Sequence, residues 1–217
     1  MHILVTRPQP GAEATAGRLR AAGHKVTLAP LMVAEMMPWT APATPPAAIM
    51  LTSGFAARLA DAPAFHRLPV FAVGTATALA AHDAGFTDIR DGGGTAQALL
   101  ERVAAAGFRD VLHLAGSDRV TVMIPAVLRV ATAVVYRTRL LPLAASPDAD
   151  WALLFSPRTA GHFAAEVDRL GGDRSTIAIA TISDAALAAA GPGWRETRAA
   201  SVPNEDALLA AAGISWQ

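Results

Sequence analysis

The chain has 217 residues, 53% apolar and 17% charged, and its 18 Lys and Arg balance its 18 Asp and Glu. Zero net charge argues against a duplex-binding protein, which is usually basic, and no apolar run approaches the roughly 20 residues of a membrane span. The complete lack of cysteine excludes disulfides, thiolate catalysis and Cys-based metal sites. The opening "MHILVTRPQPG" has an apolar run too short for a signal peptide and no basic residue before it, so a cytoplasmic location is expected. The length allows one large domain or two small ones.

In chain order, short apolar runs read as strands at Ile3–Thr6, Val26–Ala29, Ala48–Leu51, Val70–Val73, Val111–Leu114, Ala133–Tyr136, Ala152–Phe155 and Ile177–Ala180. Ala-rich stretches among them read as helices at Ala12–Ala22, Ala76–Ala84, Gln97–Ala106, Ala160–Leu170 and Ala185–Ala190. Strands alternating with helices predict parallel βαβ units and an α/β fold. The four tryptophans, 39, 151, 194 and 216, read as packing residues. Lys25, the only lysine, lies in the loop-like "AGHKV", a poor place for a Schiff base.

The chain also repeats itself. "IMLTSGFAARLA" (49–60) resembles "ALLFSPRTAGHFA" (152–164), and "VFAVGTATALAAHDAG" (70–85) resembles "TIAIATISDAALAAAG" (176–191). The second pair sets Gly74 on Ala180, Thr77 on Ser183 and Gly85 on Gly191. "TAQALLERV" (95–103) matches "NEDALLAAA" (204–212), and "ILVTRP…GHKVTLAPL" has a counterpart in "VLHLAGSDR…ATAVVYRTR". Two copies of one α/β unit are therefore expected, either cut near Gly107 or with the first strand–helix–strand packed on the second half as a discontinuous domain.

In both copies strands run into hydroxyl or small residues, and a helix is expected to follow. The junctions are Thr6-Arg7-Pro8, Thr52-Ser53-Gly54, Gly74-Thr75-Ala76-Thr77, Gly116-Ser117-Asp118, Ser156-Pro157 and Ser183-Asp184. The hydroxyls have two readings: caps for the unpaired first N–H groups of a helix, or binding groups for an anion at the same place. In open α/β sheets ligands sit beyond the carboxyl ends of the strands. Two such domains facing each other would offer many donors and few charges, which suits a large polycarboxylate. GxGxxG, GxxxxGK[ST] and GxSxG are all absent, and the six histidines show no metal-ligand spacing.

"ILVTRP", "LTS", "FAVGTATALAAHDAG", "VVYRT" and "LLFSP", in this order from Ile3 to about Ala211, resemble uroporphyrinogen-III synthase. The resemblance implies two similar flavodoxin-like parallel-sheet α/β domains joined by a two-stranded linker. One would span 1–35 plus 142–217 and the other 36–141, with linker strands near 31–37 and 135–143. It implies a monomeric lyase of haem biosynthesis that needs no cofactor or metal. The reaction closes hydroxymethylbilane, a linear tetrapyrrole with eight carboxylates, to uroporphyrinogen III. Loss of hydroxide gives an azafulvene, a spiro-pyrrolenine forms and fragments, and the ring recloses with ring D inverted and water released. Unaided closure gives the uninverted isomer, so the enzyme must mainly impose orientation.

By the same resemblance Tyr136 of "VVYRT", the chain's only tyrosine, is the acid that helps the hydroxide leave. A phenol, with a reference pKa of about 10, is protonated at pH 7. Substrate-binding positions are Thr77 with Gly74 and Thr75, Ser53, Ser156 and Ser183. Arg7 and Arg158, just past strand ends, are placed for carboxylates, whereas Arg137 and Arg139 read as solvated linker charges. The chain departs from the family pattern at Ile182-Ser183, where a Thr pair is usual, at Gly54, and at Ala115-Gly116, where Arg-Gly is common and Arg119 lies nearby. These departures motivate a second reading, an inactive two-lobed tetrapyrrole-binding or regulatory module. A nucleotide-dependent enzyme is disfavoured by the missing phosphate loops.

Overall fold

The structure is a computed structural model describing residues 1–119 and 121–214; Trp216 lies outside them. The chain falls into two compact units, Met1–Val33 with Arg139–Gln217, and Ala34–Thr138.

The first unit carries a five-stranded sheet. Its strands are β1 (His2–Val5), β2 (Lys25–Leu28), β9 (Trp151–Leu154), β10 (Ala178–Thr181) and β11 (Glu196–Ala199), ordered β11-β10-β9-β1-β2 and all parallel. Helices α1 (Gly11–Ala21), α5 (Pro157–Arg169), α6 (Asp184–Ala190) and α7 (Glu205–Ala211) cover it. Alternation along the strands divides the core in two. Leu4, Ala152, Leu154 and Ile179 pack with Phe163, Val167 and Ala186 of α5 and α6. Ile3, Val5, Leu153 and Ala180 pack with Leu19 of α1 and Leu208 of α7. Strands covered on both faces are buried throughout and mostly apolar, as "WALL" and "AIAT" are.

The second unit repeats this plan in six strands, ordered β3-β8-β7-β4-β5-β6. They are β3 (Met32–Met36), which begins at the end of the first unit, β4 (Ala48–Leu51), β5 (Pro69–Ala72), β6 (Asp88–Asp91), β7 (Asp110–Gly116) and β8 (Arg129–Leu140). The strands from β4 to β8 are parallel. Ile49 and Leu51 face α2 (Gly54–Leu59) and α3 (Thr75–Asp83), while Ala48 and Met50 face Leu99 and Val103 of α4 (Ala96–Ala105). The Met37 N–H donates to Val135 O and the Leu141 N–H to Leu31 O, so the segments of β3 and β8 run antiparallel.

The order β11-β10-β9-β1-β2 has the same chain logic as β6-β5-β4-β7-β8, which is the duplication in three dimensions. A cut near Gly107 would split a sheet, because β4 pairs with β7 from Ala48↔Val111 to Leu51↔Leu114. Gly74 caps α3 and Ser183 caps α6, so these two correspond at the helix start, not Thr77 with Ser183. Helix α3 is longer than α6, and the alignment agrees again only at Gly85 and Gly191, both with positive φ past the helix end.

Candidate functional site

In each sheet the chain leaves one central strand in one direction and later returns on its other side. That switch lies between β4 and β7 in the second unit and between β1 and β9 in the first. A crevice opens at the carboxyl ends of strands at such a point.

In the second unit the crevice is a pocket of about 270 Å³ lined by Thr52, Ser53, His113, Gly116, Arg119 and Tyr136, among others. The register of β7 and β8 places the phenol there. Pairing runs Ala115↔Val134 and then Gly116↔Tyr136, so one residue of β8 is left over. Such a bulge re-aims side chains. Val135 and Tyr136 are therefore both buried in one core cluster, where simple strand alternation had placed neighbours on opposite faces. Only glycine leaves room for the ring: a Cβ at position 116 would lie 2.6 Å from Tyr136 Cζ. Phe55 of α2 also packs against the ring, 5.7 Å between centroids. The ring is 7% exposed, and among the described residues no hydrogen bond engages its hydroxyl, which is within reach of solvent.

Across the pocket His113 is 8% exposed, with Nε2 3.1 Å from Thr52 Oγ1. Burial, reinforced by the nearby Arg119 charge, pushes its pKa down to about 4, so the imidazole is neutral at pH 7. His113 is one of the six histidines whose spacing suggests no metal-ligand role. The available signal was a lone polar residue inside the buried strand "VLHLAG" at the switch point. Gly94, Thr95 and Ala96, at the N-terminus of α4, complete one wall.

Of the expected binding residues in this unit, Ser53 lines the pocket. Its hydroxyl also accepts from the Phe55 N–H at 3.2 Å and caps α2. Gly74, Thr75 and Thr77 lie at the β5–α3 junction next to the lining residue Val73, but do not line the pocket themselves. Thr77 is buried in the first turn of α3, and Thr75 is exposed. Arg137 pairs with Glu35 at 3.1 Å and is largely exposed, as expected of a solvated linker charge.

At the strand ends of the first unit, Ser156 after β9 caps α5 by accepting from the Thr159 N–H at 3.2 Å, and Ser183 after β10 caps α6 by accepting from the Ala186 N–H at 3.3 Å. Arg7 is held by Glu205 at 2.5 Å and by Thr15 at 3.2 Å, with its guanidinium 4.8 Å from the Phe155 ring centroid. Arg158 is exposed in the first turn of α5.

The six strand-end junctions thus divide. Ser53, Ser156 and Ser183 are helix caps. Thr6 is not: its hydroxyl donates to Leu153 O at 2.6 Å and ties β1 to β9. Gly74 caps α3 without a side chain. Gly116-Ser117-Asp118 opens no helix, contrary to expectation; the described chain beyond it reaches β8 without one. Among the described residues no cluster of three or more His, Asp or Glu is placed to hold a metal, and no helix is long and apolar enough to cross a membrane.

A doubled parallel-sheet α/β fold, with its polar groups gathered at the strand ends and a lone phenol among them, defines a class of two-unit α/β enzyme. The sequence model of uroporphyrinogen-III synthase HemD matches residues 13–210, and the chain belongs to that family. Its activity is that of a cyclising lyase of tetrapyrrole biosynthesis, closing hydroxymethylbilane to uroporphyrinogen III with inversion of ring D and loss of water. Among solved structures, the uroporphyrinogen-III synthetase of Helicobacter pylori shares the fold at TM-score 0.62 and 18% identity, covering 97% of each chain. A mutant uroporphyrinogen III synthase of Thermus thermophilus aligns at TM-score 0.50 and 14% identity, over 98% of this chain and 96% of its own. No curated protein matches the chain closely enough to count as a relative. Nothing in these comparisons favours the inactive module.

Proposed function

We propose that Tyr136 is the acid of this cyclisation and that the pocket around it receives the reacting end of hydroxymethylbilane. One observation carries the reading: a buried ring, packed against Gly116 and Phe55, lines the pocket at a switch point with a hydroxyl that no described residue engages. The phenol O–H donates its proton to the departing hydroxide, which leaves as water. The azafulvenium cation left behind closes through the spiro intermediate, and the proton released when the last ring regains aromaticity returns to the phenolate. Atoms and charge balance with no other reagent.

Ser53 and the Gly74-Thr75-Thr77 turn in the second unit, and Ser156, Ser183, Arg7 and Arg158 in the first, bind the acidic arms in this scheme. Capped helix starts present N–H groups and dipoles that favour anions, so capping and binding are compatible roles for the serines. The two units act as domains joined by linker strands around 31–37 and 135–143, and the protein works in the cytoplasm as a monomer without cofactor, metal or nucleic acid.

Tyr136→Phe removes the proton and keeps the ring. Turnover should fall by up to the roughly 10²–10⁴-fold of a general acid, with the unfolding transition unchanged. Wild-type turnover in this variant would remove Tyr136 from the acid role.

A further inference from the structure

The pocket at the β4–β7 switch point contains a second group of residues that the acid step does not use. Arg119 stands exposed at its rim, and among the described residues no carboxylate or other acceptor engages its guanidinium. The adjacent Asp118 is occupied elsewhere: the Thr138 hydroxyl donates to it at 3.0 Å. Deeper in the pocket, Thr52 Oγ1 lies 3.1 Å from the buried His113 Nε2. The N-terminus of the ten-residue helix α4 forms a wall, adding unpaired N–H groups and the positive end of its dipole. An unpaired guanidinium, a hydroxyl and a helix start around one opening match an acceptor-only, planar anion.

The hydrogen bond between Thr52 and His113 has a direction that such a ligand selects. A neutral imidazole carries one N–H, and a hydroxyl has one proton and two lone pairs. With the proton on Nε2, the ring donates to Thr52 Oγ1, and the threonine O–H is left to donate into the pocket. With the opposite direction, only lone pairs would meet a carboxylate. Burial and the Arg119 charge both disfavour the imidazolium, so the ring remains a neutral positioning group.

We propose that Arg119 and Thr52 form a carboxylate subsite in this pocket, with His113 as the positioning residue that turns the Thr52 hydroxyl toward the ligand. The group bound is one acidic side arm of the tetrapyrrole, and the assignment rests on hydroxymethylbilane being the substrate. A volume of about 270 Å³ lies below the roughly 300–1,000 Å³ of a complete small-molecule site, which suits one arm or one ring.

The test is steady-state kinetics with hydroxymethylbilane on the full-length protein. Arg119→Gln and Thr52→Val should each raise KM about tenfold or more, with kcat within about twofold, the pattern of lost uniform binding. Arg119→Lys and Thr52→Ser should recover most of that loss. His113→Leu should raise KM as Thr52→Val does, and the double variant should be no worse than either single one, because both remove the same donated bond. A merely structural His113 would add its own loss. The KM of Arg119→Gln should also rise less steeply with salt than that of the wild type. Arg119 is exposed, so its replacement leaves the fold intact, which a melting curve verifies. Wild-type KM in both Arg119→Gln and Thr52→Val, measured against an active wild type that forms the type III isomer, would overturn the subsite alone. A wild type that forms no type III isomer would overturn the function on which the subsite rests, and the subsite with it.

Discussion

Gly116 and Tyr136 show how one position limits another. A methyl group at 116 would lie 2.6 Å from the ring, so either the ring or the backbone must move, and the ring also packs against Phe55 at 5.7 Å between centroids. Gly116→Ala should therefore lower kcat by about tenfold or more, since displacements near 1 Å cost up to about 10²-fold, and should destabilise the fold by about 1–3 kcal/mol through overpacking. Kinetics and urea unfolding together check this; an unchanged kcat would show that the ring position does not matter. His113 supplies a pH prediction. Its pKa is near 6.5 unfolded and about 4 folded, so the unfolded chain binds the extra proton between those values. Stability is undiminished above pH 6.5 and falls toward pH 4, by up to roughly 3 kcal/mol from this group. His113→Asn should flatten that part of the stability–pH curve; an equally steep curve would contradict it. Tyr136 was legible in the sequence as the chain's one phenol at a strand end. The bulge that aims it was not, because a single extra residue leaves no mark in the apolar pattern. The pairing of His113 with Thr52 was not legible for a related reason: 61 positions separate them, and only the order of β4 and β7 brings them together.

Among the elements, helix α5 does more than cover its sheet. His162, Glu166 and Arg169 form a stripe along it that clasps residues 141–143. His162 Nε2 lies 2.8 Å from Leu141 O, Glu166 accepts from the Leu143 N–H at 2.8 Å, and Arg169 donates to Leu143 O at 3.0 Å and to Glu166 at 2.7 Å. The Arg169 hydrogen bond, opposed by burial and aided by the Leu143 N–H, pushes the Glu166 pKa down to about 2. Its stabilising effect is therefore complete above the ordinary carboxylate value and is lost as pH falls toward 2. Glu166→Gln should lower the melting temperature at pH 7 and lose less stability than the wild type between pH 4.5 and 2; parallel curves would contradict this. The Ala-rich helices and core strands were readable from apolar runs. The strands β6, "DIRD", and β11, "ETRA", were not, because they are sheet edges where charged residues guard unpaired backbone. The six-residue α2 is too short for a helical period to register.

At the scale of the whole chain, the duplication was the most legible feature. Its order and spacing survive as two sheets of like topology, although individual residues have drifted enough to mispair Thr77 with Ser183. The discontinuity of the first unit was not derivable from the residues alone, because the contacts between β1 and β9 join positions almost 150 residues apart, and neither strand announces its partner. What the duplicated fold does is decided by the product. Because hydroxymethylbilane closes by itself without inverting ring D, isomer composition separates the enzyme from a bystander. The purified protein, given freshly generated hydroxymethylbilane, should yield predominantly the type III isomer once the product is oxidised and resolved by chromatography. Formation of the type I isomer alone, at the rate of the uncatalysed reaction, would contradict the account.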